Sequence, residues 1–481
     1  MPTLAQYPLV LTIQKMAQSS STKTKNIDLF LVGGFLRDTL LNKSGHDFDF
    51  ALERGAIAFA RTLAKNIKGA FVLLDQEHGC ARVVKKTAAG IETFDFADFR
   101  APTLKGDLTH RDFTINAFAL KINGLSADTE MVENILDFSG GLKDLKARRL
   151  RMVRATTFKE DPLRLLRSFS LRAQLDFTIE AKTLAQIKKD TPLLRNVARE
   201  RILDEFFKVL QSPRAADNLR AMDKISLLEQ VIPQITIMYR VKQGGYHHLD
   251  VWPHSLETVA QLENVFVEYA NDAEVNAYLD ETLAGTRTRR GLLKLAALLH
   301  DIGKPQTRKK EKDRMSFHSH EHVGKGISRS VAKLMMLSSR ERMMLEDIVL
   351  WHLRPGYLSN FKKPSERAVF RYFRDTKDEA AAVALLSIAD QRSTRGPLSS
   401  KTNETHHLKI CRQLIEQFFA AKKEKPFVCL INGNDLIKKL KIKPGPIFGK
   451  IIQGVEEAQA TGKITTKDEA LALAKKILAK P

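Results

Sequence analysis

The sequence predicts an α+β protein in which strands and helices mix near the N-terminus and helices dominate the rest. Three observations carry this reading. Residues 29–32, LFLV, are an apolar run of buried-strand length, followed at once by Gly33-Gly34 and the helical start Phe35-Leu36-Arg37-Asp38. Residues 70–74, 81–84 and 91–96 read as further strands, with a helix-spaced segment over Ala56 to Ile67 before them. Beyond Glu160 the informative segments are helical: EDPLRLLRSF, and later LAALLHDIGK.

The glycine pair stands between a strand and a helix. Glycine allows a ligand close to the backbone and a helix N-terminus favours an anion, so this turn suits a phosphate. After the polar turn Asn42-Lys43-Ser44-Gly45, the run His46-Asp47-Phe48-Asp49-Phe50 places Asp47 and Asp49 on one strand face and the phenylalanines on the other. Neighbouring carboxylates repel unless a cation lies between them, and the hard cation that accompanies phosphates is Mg²⁺. A turn for a triphosphate and a carboxylate pair for its metals point to phosphoryl or nucleotidyl transfer. In IETFDF, Asp95 is the preferred third acid for that face. Glu92 competes for the role, but its odd spacing from Asp95 puts it on the opposite face.

In DLTHRDFTINAFA, Arg111 is suited to a bidentate phosphate contact, and Asp112 and Asn116 stand one helical turn apart, as a pair facing a sugar would. The segment reads equally as a capped helix start. Residues 136–153 read as a turn and basic connector. In EDPLRLLRS, acids and Pro162 mark a helix start; Asp161, Arg164 and Arg167 share one face, and Leu163, Leu166 and Phe169 bury the other. That face is either a surface ion-pair set or a donor–acceptor set for a base edge.

The chain has 481 residues and a formal net charge of +22. Such a charge favours a polyanionic partner, and without an apparent membrane segment nucleic acid is preferred to lipid. Three cysteines, Cys80, Cys411 and Cys429, form no disulfide or metal pattern, which fits a reducing compartment. No secretory signal is read at the N-terminus, so a cytoplasmic location is expected, and residues 18–25, QSSSTKTK, read as a mobile lead-in.

Taken in order, GGFLRD, DFD, HRDFTINA and EDPLRLLRS resemble the class II tRNA nucleotidyltransferases (CCA-adding enzymes) and the bacterial poly(A) polymerases, over about residues 29–210. The resemblance implies a small polymerase-β-like nucleotidyltransferase palm, a mixed sheet with helices, followed by an extended all-α neck. It implies that Gly33, Gly34 and Arg37 hold the triphosphate and that Asp47 and Asp49, with Asp95, bind Mg²⁺. It further implies that Arg111, Asp112 and Asn116 contact the nucleotide, that Asp161 and Arg164 template CTP or ATP, and that Arg167 joins the phosphate contacts. Residues 198–205 resemble a further neck motif. Two departures stand out: His110 replaces the usual first arginine, and Asp95 stands where Glu is common.

The helical middle carries a second constellation: His254 after HHLDVWP, His300-Asp301 closing an apolar helix, His320 in HSHEHVG, His352 in LWHLRP and Asp390 in LLSIADQR. Imidazoles and carboxylates gathered from separate helices make a transition-metal site. The set resembles an HD-superfamily domain, which implies one divalent transition metal on His254, His300, Asp301 and Asp390 and a possible second on His320 and His352. In the tail, INGNDL and IKPGPIFGK read as a Gly-Pro turn opening a helix amid lysines, either a phosphate-capping surface or a solvated basic hairpin. It is similar to the family's C-terminal body, on which tRNA rests.

The expected domains are a palm at 26–154, a neck at 155–240, an HD domain at 241–398 and a tRNA-binding tail at 399–481. The expected activity is template-independent addition of CMP, AMP or both to the tRNA 3′ end, with the acceptor stem, CTP and ATP as partners. Alternatives are a poly(A) polymerase, an HD phosphohydrolase whose palm only binds nucleotides, and a non-enzymatic RNA-binding protein. Only residues 101–106 separate the last palm strand from the HRD segment, too short for a mobile lever, so a restricted product such as CC is favoured over full CCA.

Overall fold

The computed structural model describes residues 3–19, 27–43, 45–88, 90–244, 248–311, 314–396, 400–424 and 427–479. Most of the expected lead-in, and His247, lie outside these residues; Gln18 and Ser19 end a helix, Pro8–Ser19, that the sequence reading did not anticipate. The chain divides into two units, Met1–Val197 with Ile225–Leu227, and Ala198–Lys224 with Leu228–Pro481.

The first unit is built on a seven-stranded sheet among the described residues: β1 Leu29–Val32, β2 Asp47–Leu52, β3 Ala70–Asp75, β4 Cys80–Thr87, β5 Gly90–Asp98, β6 Phe118–Lys121 and β7 Ile135–Asp137. Their order is β3-β4-β5-β2-β1-β6-β7. The β2–β5 pair is parallel, with Asp47 opposite Thr93, Phe48 opposite Phe94, Asp49 opposite Asp95 and Phe50 opposite Phe96. The other neighbours are antiparallel, so the sheet is mixed.

Aromatic stacking fixes this register on the buried face. Phe48 stacks on Phe94 with ring centroids 5.1 Å apart, and Phe50 on Phe96 at 5.0 Å. The helix Ala56–Ile67 covers them through Phe59, whose ring lies 5.3 Å from Phe96. Tyr7, just before the first helix, packs edge-on against Phe35 and Phe48. A one-residue slip would bury the aspartates in place of the rings, so the apolar face and the acidic face specify one another.

Two segments depart from the sequence reading. Residues 136–153 are no plain connector: they finish β7, form a helix at Gly141–Lys146, and add a short strand, Arg149–Leu150. Residues 101–106 are not all loop, because Thr103 caps a helix, Leu104–Thr109, by accepting from the Gly106 N–H. Leu163 is only half-buried; Leu165, Leu166 and Phe169 carry the core contacts of the helix Leu163–Leu175.

The second unit is mainly helical. Its helices Arg289–Leu299 and Ala380–Ser393 are buried nearly all round, as befits helices at the centre of a bundle. A buried ion pair crosses the core: Lys294 donates to Glu263 at 2.8 Å and to the Ser212 carbonyl at 2.6 Å. Pro446 opens the helix Pro446–Ala460, as the Gly-Pro turn predicted. That helix packs with Gly433–Leu440 and Lys467–Leu478 around Leu436, Ile451, Val455 and Ala470, forming a small core of their own in place of a bare hairpin. No described helix is long and apolar enough to cross a membrane.

One buried carboxylate holds the segment that follows Arg111. Asp144, fully buried, accepts from Thr114 at 2.7 Å, from Arg149 at 2.8 Å and from Arg151 at 2.7 Å. Burial alone would raise its pKa; these hydrogen bonds outweigh it and hold the carboxyl below the ordinary value. A depressed folded-state pKa gives stability that is present above the unfolded value of about 4 and lost as pH falls below it. Asp144→Asn leaves the arginines short of acceptors and should cost about 2–4 kcal/mol in urea denaturation at pH 7. The deficit should shrink as the measurement is repeated toward pH 3.

Candidate active site and metal centre

The palm site assembles where β1 ends, on the face of the sheet opposite the stacked rings. Gly33 follows β1 with φ of +79°, and a Cβ built there would meet Asp49 Oδ2 at 2.9 Å and Arg111 Nη1 at 3.0 Å. Glycine is therefore required both by conformation and by space. The helix Gly34–Leu40 starts here, so its first N–H groups border the same place.

Asp47, Asp49 and Asp95 lie on one face, Asp49 and Asp95 side by side across β2 and β5. Asp47 is exposed and accepts a hydrogen bond from Thr93 Oγ1. Burial pushes the Asp49 carboxyl above its ordinary value; Arg111 opposes this, and Asp95 and Asp47 add to it. Asp95 is gripped by Arg82, whose Nε and Nη2 each donate to one carboxylate oxygen at 2.7 Å. Glu92 is not in this group; it accepts from Thr87 at 3.3 Å. Three convergent carboxylates, one of them destabilised by burial and like charge, fit a hard divalent cation such as Mg²⁺.

The residues expected to face the nucleotide form one hydrogen-bonded chain. Arg37 is buried and donates to Asp38 at 2.9 and 2.8 Å and to Asn116 Oδ1 at 2.7 Å. Asn116 donates to Asp112 at 3.0 Å, and Arg167 pairs with Asp112 at 2.9 Å. Burial alone would raise Asp112; Arg167, Asn116 and the Phe113 N–H outweigh it and hold the carboxyl low. The expected Asp112–Asn116 pairing is present, across a 3-10 turn at Thr114–Asn116 and not along an α-helix. Arg37, expected at the triphosphate, ties this chain to the helix Gly34–Leu40. Arg111 keeps a buried Nε with no hydrogen-bond partner among the described residues, an orphaned donor beside the glycine turn.

Asp161, Arg164 and Arg167 do not form one open face. Asp161 accepts from the Leu163 N–H at 3.2 Å. Arg164 is 9% exposed and donates to the His110 carbonyl at 2.7 Å and the Thr157 carbonyl at 3.2 Å. His110 itself sits 3.2 Å from Glu160, which also holds Arg154. Main-chain acceptors are invisible to a pattern of side-chain spacing, so these partners of Arg164 are not legible in the sequence.

In the second unit all six expected metal residues meet. His254 stands in the first turns of Val251–Glu268; His300 and His352 each follow a helix, His320 opens His320–Leu334, and Asp390 lies in Ala380–Ser393. The grouping differs from the expected one. His254, His300 and Asp390 form one set, and Asp301 with His320 and His352 another. Asp301 is shared because its two oxygens face opposite ways: Oδ1 lies 3.3 Å from His320 and 3.8 Å from His352, Oδ2 3.3 Å from His300 and 3.6 Å from His254.

The imidazoles are oriented by their far sides. Nδ1 of His300, His320 and His352 donates to the carbonyls of Ala297, Phe317 and Val349 at 2.7, 2.8 and 2.7 Å, aiming each Nε2 at the centre. Burial opposes charge on His300, but Asp301 and Asp390 outweigh it and raise its pKa to about 10; burial with His320 and His300 lowers His352 to about 3. The carboxylates favour positive charge here, and three imidazoles whose Nε2 atoms are aimed inward fit a transition metal. Sequence reasoning missed Lys304, which donates to Asp301 Oδ2 and to Gln243, both at 2.6 Å. It also missed Gly303, where a Cβ would strike the His320 carbonyl at 2.1 Å. A cavity of about 510 Å³ opens over Asp301, His352 and Asp390, with Lys304, Tyr357 and Asn403 in its wall.

Known proteins match both sites. Residues 29–151 match the poly A polymerase head domain, 251–395 the HD domain, and 398–474 a tRNA nucleotidyltransferase domain 2 model. The A-adding tRNA nucleotidyltransferase of Deinococcus radiodurans is 32% identical over 92% of this chain and 94% of its own. The CC-adding tRNA nucleotidyltransferase of Thermus thermophilus is 29% identical over 92% of each. The fold resembles that of the Thermotoga maritima CCA-adding enzyme solved with tRNA, with a TM-score of 0.61 at 21% identity over 100% of this chain and 99% of that one. With glycine turn, acidic face and HD centre all in place, the near full-length likeness to the Deinococcus relative shows that this chain belongs to the tRNA nucleotidyltransferase family.

Proposed function

We propose that this protein adds nucleotides to the 3′ end of tRNA without a template, using CTP and ATP, through the site between Gly33 and Arg167. The observation that carries this is the row of Asp49 and Asp95, with Asp47, directly against the Gly33 turn and the unpartnered Nε of Arg111. Asp47, Asp49 and Asp95 are the residues to hold two Mg²⁺ ions, which when bound activate the primer hydroxyl and neutralise the triphosphate and pyrophosphate. The amides of Gly33 and Gly34 and the guanidinium of Arg111 receive the phosphates. Asp112 and Asn116, locked together by Arg37 and Arg167, face the sugar. Asp161 and Arg164 read the base, which requires Arg164 to let go of the His110 and Thr157 carbonyls. The net charge of +22 favours holding the tRNA backbone by shape and phosphate, with little sequence reading. Palm, neck, HD domain and tail are assigned to 26–154, 155–240, 241–398 and 399–481.

Incubating the protein with tRNA lacking its 3′ end and labelled CTP or ATP tests the activity. Asp49→Ala, and separately Asp47→Ala, should lower addition by at least a thousandfold, about 4 kcal/mol of transition-state stabilisation, with tRNA binding retained. Substantial residual addition would remove the metal assignment.

A restricted product is the favoured outcome. The link from β5 to the HRD segment is a short loop and one capped helix, which offers no long element with two arrangements to re-aim the base reader. The two near full-length sequence relatives named above carry single-step names, A-adding and CC-adding, while the Thermotoga neighbour in fold carries the full CCA name. Supplying CTP and ATP with tRNA ending at the discriminator base, then sequencing the products, should show addition that stops short of CCA. Efficient completion by this protein alone would refute the loop argument.

The HD centre supports a second, independent reaction, hydrolysis of a phosphate ester at a transition-metal site. The convergence of six buried or half-buried ligands beside an open cavity supports it. His300→Ala should lose bound metal by elemental analysis, along with any phosphatase or phosphodiesterase activity, while nucleotide addition persists. Equal metal content in variant and wild type would rule out this centre.

A further inference from the structure

We propose that Arg82 is a displaceable counter-ion of the palm site, a positioning residue that occupies Asp95 while metal is absent and releases it when metal and triphosphate arrive together. The inference rests on the reading of Asp95 as a metal residue. The register places Arg82 of β4 opposite Asp95, and Asp95 opposite Asp49, so three side chains stand in a row across one sheet face. Arg82 takes both oxygens of Asp95, in the two-pronged geometry that makes arginine–carboxylate pairs strong. The Arg82 charge lies against both Asp95 oxygens, so a cation shared with Asp49 meets repulsion there until the pair opens.

The pair is built to open. The Arg82 side chain is 42% exposed. Its neighbour across the β3–β4 pair is Val72, itself 43% exposed on the edge strand, so the guanidinium can swing outward without emptying a packed site. A structural arginine of this chain looks different: Arg289 is 3% exposed and is held by Glu281 and Glu379 together.

Charge balance gives the swing a direction. Asp47, Asp49 and Asp95 stand against Arg82, Arg111 and Arg167, and the last two also face Asp107 and Asp112, so the free site is net negative. Two divalent cations alone would overshoot to strongly positive and expel the arginine. A triphosphate carries about four negative charges and restores the balance, and offers the released guanidinium new oxygens. Arg82 therefore makes metal binding weak without nucleotide and couples the two.

The test is Mn²⁺ binding to the full chain, followed by electron paramagnetic resonance of the free ion, without nucleotide and then with a non-reactive CTP analogue. The HD centre is common to all variants, so differences report on the palm. Without nucleotide, Arg82→Gln and Arg82→Ala should each bind Mn²⁺ three- to tenfold more tightly than wild type, with Arg82→Lys between them. The analogue should narrow the gap, and Asp95→Asn should abolish it. Unchanged or weaker Mn²⁺ binding in both neutral Arg82 variants, with Asp95→Asn weakening it, would overturn the counter-ion role and leave Asp95 as a ligand. Unchanged binding in Asp95→Asn alone would overturn the metal assignment beneath it.

Discussion

The parallel pairing of β2 with β5 is the constraint on which the palm depends. One register delivers two outcomes at once. On the buried face Phe48 meets Phe94 and Phe50 meets Phe96; on the other, Asp49 meets Asp95 with Asp47 one step along. Aromatic burial is worth several kcal/mol and carboxylate crowding costs some of it back, so the rings hold the acids together against their repulsion. A fold that stabilised only one face would leave the acids free to separate by a slip of strand.

Much of this was legible in the sequence because its periods are short. Alternation of Phe and Asp names the two faces of β2 and β5, and a glycine pair after four apolar residues marks the turn. Legibility fails where a partner is set by three-dimensional register or by main chain. Arg82 reaches Asp95 through a hairpin whose register no local pattern states. Arg164 turns onto backbone carbonyls, which every residue supplies equally. Asp301 divides its oxygens between two sets of imidazoles, a division that ligand counting along the chain could not make. The helix Pro8–Ser19 went unread because it runs into a serine- and lysine-rich stretch that dominated the reading of that end.

The HD centre applies a different device to the same problem of holding charge in place. Its six converging residues come from five helices or their ends, so no strand register aligns them. Alignment comes from the far nitrogen of each ring: three Nδ1 groups are tied to the carbonyl three residues earlier, at the C-terminal end of a helix or in the turn before one. Local backbone geometry thus orients the rings, and only helix packing is left to bring them together. Gly303 matters for that packing, since a methyl group there would push the His300-Asp301 turn away from the helix that carries His320.

A comparison within the chain separates charges that hold structure from charges kept for chemistry. Lys294 and Glu263 are buried as a matched pair, with the spare hydrogens of the lysine on a carbonyl, and Arg289 has a carboxylate at each side. Nothing in those sets calls for a further ion. In the palm Asp49 is pushed toward protonation, and Arg111 keeps a buried donor unused. In the HD centre two carboxylates raise His300 far above an ordinary imidazole while His352, a ring's width away, is driven down. Burial raises Glu263 and Glu379 as well, but each of these has a cation in direct contact, whereas Asp49 shares its face with two further acids. Such charge, beside a glycine turn in one place and an open cavity in the other, is what the proposed metals would balance.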